Sequence, residues 1–123
     1  MDTAQKKITY IVTHADDDPE LATIPFILAN TAITMDITPV IILQGKGVML
    51  AKKDYAEHIH FEGGTPLKDM LDAYIESGNK LYLCSPCLEK RKLRKEHMIE
   101  GTEIIGAAKV TEEVLSSVNV LNY

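Results

Sequence analysis

Three short apolar runs, Ile8 to Val12, Val40 to Leu43 and Leu81 to Leu83, are separated by stretches long enough to hold a helical crossover, and this spacing restricts the chain to few architectures. The first lies in Lys7 to Thr13, Lys-Ile-Thr-Tyr-Ile-Val-Thr, whose β-branched residues favour a strand. The second, Thr38 to Leu43, is nearly unbroken in its hydrophobicity, as expected of a strand covered on both faces. Between them Asp18 and Pro19 supply an N-cap and a first-turn proline. Leu21, Ile24, Pro25, Leu28, Ala29 and Ala32 then recur at helical spacing as far as Thr34, with Pro25 expected to kink the helix.

Gly45 and Gly47 end the second strand. Val48 to Lys53 reads as a short helix or turn, and Asp54 to Gly64 as loop. Thr65-Pro66 restarts a helix with an apolar stripe of Leu67, Met70, Leu71, Tyr74 and Ile75, closed by Gly78. Lys80 to Leu83 is the third strand. A basic helical segment from Leu88 to about Met98 follows, then Glu103 to Lys109 as strand four, Thr111 capping a helix over Glu112 to Ser117, and Val118 to Leu121 as the last strand. The pattern predicts one domain over residues 1–123 of three-layer α/β/α class, with a mostly parallel sheet of about five strands and right-handed crossovers.

A chain of 123 residues that is 46% hydrophobic can bury a core without metal or disulfide support. The net charge of −5 and an aromatic content of 6% argue against a general nucleic-acid binder, which needs a basic face with stacking residues. No apolar stretch approaches membrane-spanning length and no secretory signal pattern opens the chain, so the expectation is a cytoplasmic protein without a membrane partner. In that compartment thiols stay reduced.

The only two cysteines stand in Cys84-Ser85-Pro86-Cys87, where the third strand meets a helix. A disulfide framework would need more cysteines and a closed zinc site two more ligands, which leaves redox or sulfur-transfer chemistry. In parallel sheets such chemistry collects at the carboxyl ends of strands, and Cys84 sits at one. Pro86 suits a first helical turn, so Cys84 falls just outside the helix and Cys87 within it. The helix dipole and Lys90, Arg91, Lys92, Arg94 and Lys95 are expected to lower the thiol pKa and to attract an anionic sulfur compound. The plainer readings are two small core residues and a solvated basic face.

Other motifs are weaker. Asp16-Asp17-Asp18 offers carboxylates for a cation, yet precedes a proline-initiated helix where acidic residues act as caps. Gly45-x-Gly47 lacks the third glycine of a dinucleotide loop, and Lys46 lacks the following Ser or Thr of a P-loop. Amides beside the two glycines either cradle an anion near the cysteines or only form a tight turn. His58 and His60, with His14 and His97, are read as surface residues in preference to zinc ligands.

Several separated pieces together resemble the DsrE/DsrF-like family, which includes the TusD-type sulfur-relay proteins. They are Thr13-His14-Ala15-Asp16-Asp17 after the first strand, the helix through Ala29, Gly45-Lys46-Gly47-Val48 after the second, Leu83-Cys84-Ser85-Pro86-Cys87 followed by Arg91, and the stretch from Gly101 to Gly106. The resemblance spans nearly the whole chain. It implies a persulfide carried on Cys84, with Cys87 as the second thiol of a site that includes Gly45, Gly47, Val48 and Arg91. It further implies no cofactor or metal, a donor or acceptor protein with a reactive cysteine, and a homotrimer or a hexamer made from trimers. Met49, Leu50, Phe61 and Met98 are the apolar residues proposed for contacts between copies. Cys87 occurs in only some branches of the family, and Lys90-Arg91-Lys92-Leu93 lacks the glycine frequent there, which predicts a differently shaped loop. Three readings stay open: a sulfur carrier, a thiol-disulfide oxidoreductase cycling Cys84 with Cys87, and a non-catalytic oligomeric binding subunit.

Overall fold

A computed structural model describes residues 5–60 and 62–123. Five strands, β1 (Lys7–Val12), β2 (Thr38–Leu43), β3 (Leu81–Cys84), β4 (Thr102–Ile105) and β5 (Asn119–Asn122), form a single sheet in the order β4-β3-β2-β1-β5. Every pairing is parallel. The three apolar runs occupy the three inner strands, where both faces are covered.

Strand order decides where the helices lie. From β1 to β4 the chain steps steadily toward one edge, so right-handed crossovers place α1 (Pro19–Thr34), α2 (Leu67–Glu76) and α3 (Ser85–Lys90) on the same face. The step from β4 back to β5 reverses direction and carries α4 (Ala107–Ser116) to the opposite face. The larger core therefore lies under α1 and α2. There Tyr10, Val12, Ile41, Leu43, Leu81 and Leu83 of the strands meet Phe26, Leu67, Leu71 and Tyr74. The smaller core, Val40, Ile42, Tyr82 and Ile105, lies under α4.

Two buried polar groups fasten these layers. The Tyr74 hydroxyl accepts the Ile41 N–H at 3.1 Å and donates to the Lys80 carbonyl, joining α2 to β2 and to the start of β3. On the other face Glu113 of α4 receives Lys7 at 2.8 Å and Lys109 at 3.1 Å, so its carboxylate is paired although nearly buried.

The N-cap of α1 is as expected: the Asp18 Oδ1 accepts the Leu21 N–H at 3.1 Å, and Pro19 opens the helix. Pro25 lies inside α1, and the helix continues on both sides of it. Gly78 takes a left-handed φ of 83° just beyond α2. The stretch after β2 is a 3-10 helix, Gly45–Ala51, and a second short one, Ala56–His58, lies within the expected loop.

Three sequence expectations need correction. The segment from Leu88 to Met98 is not one helix, because α3 ends at Lys90 and a separate 3-10 turn covers Lys95–His97. The cause is a complete C-terminal cap: the Lys92 N–H bonds the Glu89 carbonyl and the Leu93 N–H bonds the Leu88 carbonyl, both at 3.0 Å. Lys92 has φ +56°, so the left-handed turn is made without the glycine common at that place in the resembling family. Lys92→Gly is accordingly expected to stabilise the fold by about 1 kcal/mol, seen as a raised thermal midpoint. Second, strand four stops at Ile105. Residues from Ala107 onward are helix, with Gly106 and not Thr111 at the N-cap, because Val110 turns inward at helical spacing to meet the Tyr82 and Ile105 cluster.

Third, the residues proposed for contact between copies are not a surface. Leu50 and Met98 are buried, and Met49 is half-buried against the same core. Phe61 lies outside the described residues. The large apolar side chains that do face outward include Leu115, Met35 and Val118, at 80%, 63% and 62% exposure.

Candidate functional site

The carboxyl ends of β1, β2 and β3 bring together the loop from Thr13 to Asp18, the 3-10 helix Gly45–Ala51 and the start of α3. Cys84 is the last residue of β3 and the N-cap of α3, with Pro86 in the first turn and Cys87 one step further, as the sequence predicts. Both thiols are free and half-buried. Their sulfurs are 2.7 Å apart and share a thiol hydrogen bond. A disulfide could join them with little backbone movement.

The glycine segment reaches the same place. The Gly45 N–H donates to Cys87 Sγ at 3.1 Å, so this amide is directed at a sulfur of the protein and not at an outside anion. The Gly47 N–H is bonded to the Gln44 carbonyl at 2.9 Å. Gly47 has a different task, since a Cβ there would stand 2.1 Å from the Val12 carbonyl oxygen, and only glycine lets the 3-10 helix lie on the end of β1. Val48 is fully buried beneath it. The Arg91 guanidinium donates to the Cys87 carbonyl at 3.1 Å, which brings its charge to the dithiol.

The thiol electrostatics differ from expectation. Burial pushes the Cys84 pKa up, and the hydrogen bond with Cys87 adds to the rise. The Cys87 main-chain N–H and the Arg91 charge oppose it without reversing it. The helix that was to lower this pKa has only six residues and a correspondingly small dipole. Lys90, Lys92, Arg94 and Lys95 are exposed, and the last three lie past its end. The rate of Cys84 alkylation by iodoacetamide should therefore still be rising at pH values above about 8.5, the ordinary cysteine midpoint. Arg91→Gln should move the midpoint further up, and Cys87→Ser should move it down. A plateau reached below neutral pH would contradict this electrostatic account.

Each of the three aspartates has its own structural partners. Asp18 caps α1, while Asp17 accepts the Ala15 N–H at 2.8 Å and pairs with His14 at 2.7 Å. Asp16 accepts the Tyr55 hydroxyl at 2.5 Å and the Lys46 ammonium at 3.0 Å. These two partners hold its carboxyl below the usual range, whereas burial and Asp16 push the Tyr55 hydroxyl up to about 12. The pairing of Asp16 with Tyr55 and Lys46 is invisible in sequence, because Tyr55 falls in a stretch without period. Among the described residues no group of three or more His, Cys, Asp or Glu side chains is placed to hold a metal ion, and no helix is long and apolar enough to cross a membrane.

The same fold is found in solved structures. The ychN protein of E. coli superposes with a TM-score of 0.81 at 19% identity, covering 97% of this chain and 100% of that one. A protein of unknown function, MTH1491 from Methanobacterium thermoautotrophicum, superposes at 0.67 with 12% identity, covering 98% of this chain and 100% of that one. Closer in sequence are two uncharacterized proteins of Methanocaldococcus jannaschii. MJ0989 is 32% identical over 117 residues, 95% of this chain and 99% of its own length. MJ0760 is 30% identical over 97 residues, 79% of this chain but only 35% of its own length, so the chain spans about a third of that relative. The model of the DsrE/DsrF-like family matches residues 6–123, from the first residues of the sheet to the last. With that match over nearly its full length, the chain belongs to the DsrE/DsrF-like family.

Proposed function

We propose that this protein is a sulfur carrier that accepts sulfane sulfur on Cys84 as a persulfide and passes it to the thiol of a partner protein. The observation that carries the reading is a half-buried dithiol at the carboxyl end of β3, in a family that suggests a sulfur-relay role. In the loading step the Cys84 thiolate attacks the outer sulfur of a donor R–S–SH. The new S–S bond is on Cys84, the donor bond breaks, and R–S⁻ departs. In the unloading step a partner thiolate attacks the outer sulfur of Cys84–S–SH and regenerates the Cys84 thiolate. Neither step needs an oxidant or a resident cofactor. Partial burial shields the persulfide from water and from adventitious thiols.

A second reading, a thiol-disulfide oxidoreductase, is favoured by one specific observation, the 2.7 Å approach of the two sulfurs. Intact-protein mass after incubation with polysulfide, with and without reductant, separates the two. The carrier gains one sulfur atom in a reductant-sensitive form before any loss of two hydrogens, and keeps it longest in Cys87→Ser, where no internal disulfide can close, whereas the oxidoreductase loses two hydrogens without first holding an added sulfur. A protein that does neither is the non-catalytic binding subunit. Assembly as a trimer or a hexamer made from trimers belongs to the same proposal. The outward-facing Leu115 and Val118 supply apolar surface for it, and a monomer in sedimentation at micromolar concentration would overturn that part.

A further inference from the structure

Beside the dithiol lies an open cleft of about 590 Å³ that the steps above do not use. It is lined on one side by Arg91 and Leu93, from the end of α3, and on the other by Lys46, Met49 and Lys52 around the 3-10 helix, with Asp16 and Tyr55 completing the wall. Both sides connect to the sulfurs. Arg91 donates to the Cys87 carbonyl, and its charge is felt at Cys84. Lys46 follows Gly45, whose N–H holds the Cys87 sulfur. Met49 and Leu93 give the cleft an apolar part and pack against the same core as the two cysteines.

The charge is the opposite of the protein's own. The chain carries a net −5, yet among the described residues the cleft holds Lys46, Lys52 and Arg91 against the single carboxylate of Asp16. That carboxylate is already committed to Lys46 and Tyr55. Among the described residues Lys52 and Arg91 have no carboxylate partner, so two cations face the space with no protein anion to neutralise them. Lining that combines apolar Met49 and Leu93 with the unpaired cations Lys52 and Arg91 fits a small molecule with a short apolar spacer and an anionic end. The volume is in the range of small-molecule sites.

We propose that the cleft binds the anionic tail of a low-molecular-weight thiol, whose persulfide presents its outer sulfur to Cys84 while Lys52 and Arg91 hold the tail. This rests on the sulfur-carrier reading and adds to it the class of donor. The loading step is as written above, with R a short chain ending in a carboxylate or sulfonate, and the thiolate released is the small anionic thiol itself.

The first experiment compares two donors of equal length, the persulfides of 3-mercaptopropionate and of 3-mercaptopropanol, by the rate of Cys84 loading in intact-mass time courses. The anionic donor should load about tenfold faster at low donor concentration, with the advantage shrinking as salt is raised. In the Lys52→Gln/Arg91→Gln protein the two rates should converge. A wild-type protein that loads both donors equally, or a preference that survives the double substitution, overturns the proposal.

The second experiment reads the cleft without sulfur transfer. Binding of 3-(methylthio)propionate, which has the same tail and no transferable sulfur, is followed by NMR shifts in the wild-type and Cys84→Ser proteins. Shifts should centre on Lys46, Met49, Lys52 and Leu93 in both, and the affinity should fall about tenfold in Lys52→Gln alone. Loading by polysulfide with no such binding would sink the cleft and leave the carrier reading standing. Binding without loading of Cys84 by any donor would sink the carrier reading and leave the cleft as an anion site. Shifts seen only with an acidic peptide, and not with the small thioether, would make the occupant a protein segment and overturn the small-molecule assignment.

Discussion

Cys84→Ser is expected to abolish persulfide loading outright, while Cys87→Ser keeps it and prolongs the life of the loaded form. The asymmetry comes from position. Cys84 ends β3 and stands ahead of the first turn of α3, whereas Cys87 lies within that turn with its sulfur held by the Gly45 N–H at 3.1 Å. When Cys84 carries a persulfide, Cys87 is the nearest thiol. Its thiolate can attack the inner sulfur, closing the Cys84–Cys87 disulfide and expelling HS⁻. Serine at 87 removes this route, so the loaded protein should decay more slowly in the absence of an acceptor. It also removes the two influences of the Cys87 thiol that, with burial, raise the Cys84 pKa, which should speed loading near neutral pH. Intact mass over time after polysulfide treatment reads both effects. Loading that follows Cys87, or that persists in the doubly substituted protein, would show that the assignment is wrong. A Cys87→Ser protein that loses turnover while Cys84 still traps a partner as a mixed disulfide would place the protein among the oxidoreductases.

How much of this was readable from the residues depended on whether the determining contact was local. The inner strands were plain because a strand covered on both faces must be apolar throughout, and Val40 to Leu43 has no other good use. The start of α3 was equally plain, since Pro86 and the end of the Leu81–Leu83 run fix it from within a few residues. Its end was hidden. The basic residues after Lys90 continue a helix-compatible pattern, and nothing in Lys92 itself announces a left-handed φ of 56°. The Ala107 to Lys109 stretch reads as the end of strand four, and the contact of Val110 with the Tyr82 cluster decides otherwise. The site divides the same way. Two cysteines three apart declare themselves, whereas the bond from Gly45 to Cys87 joins residues 42 apart and the Tyr55 to Asp16 bond residues 39 apart. The thiol pKa runs opposite to the sequence expectation, because sequence supplies the cations but not the burial that outweighs them.

Gly47→Ala is expected to be the most destabilising of the glycine substitutions near the site, at about 3 kcal/mol, the upper end of what forced overpacking costs. Gly47 does not occupy the left-handed region, so its φ is open to alanine, and the whole penalty is one of contact. The added Cβ would sit 2.1 Å from the Val12 carbonyl oxygen and 2.9 Å from its carbon, both main-chain atoms of an inner strand that no rotamer change can move aside. That same oxygen accepts the Gln44 N–H at 3.0 Å, so retreat of the 3-10 helix would also break the bond that anchors its start. Gly45→Ala is the contrasting case. Gly45 has φ +54° with open space where its Cβ would go, and alanine there should cost only the left-handed strain, about 1 kcal/mol. Urea unfolding with an unchanged m-value gives both numbers from the shift of the midpoint. Function should follow the same order, because displacing the 3-10 helix withdraws the Gly45 N–H from Cys87 and Lys46 from the cleft together. Equal costs for the two substitutions would mean that the close approach of the 3-10 helix to β1 is not what holds the site in place.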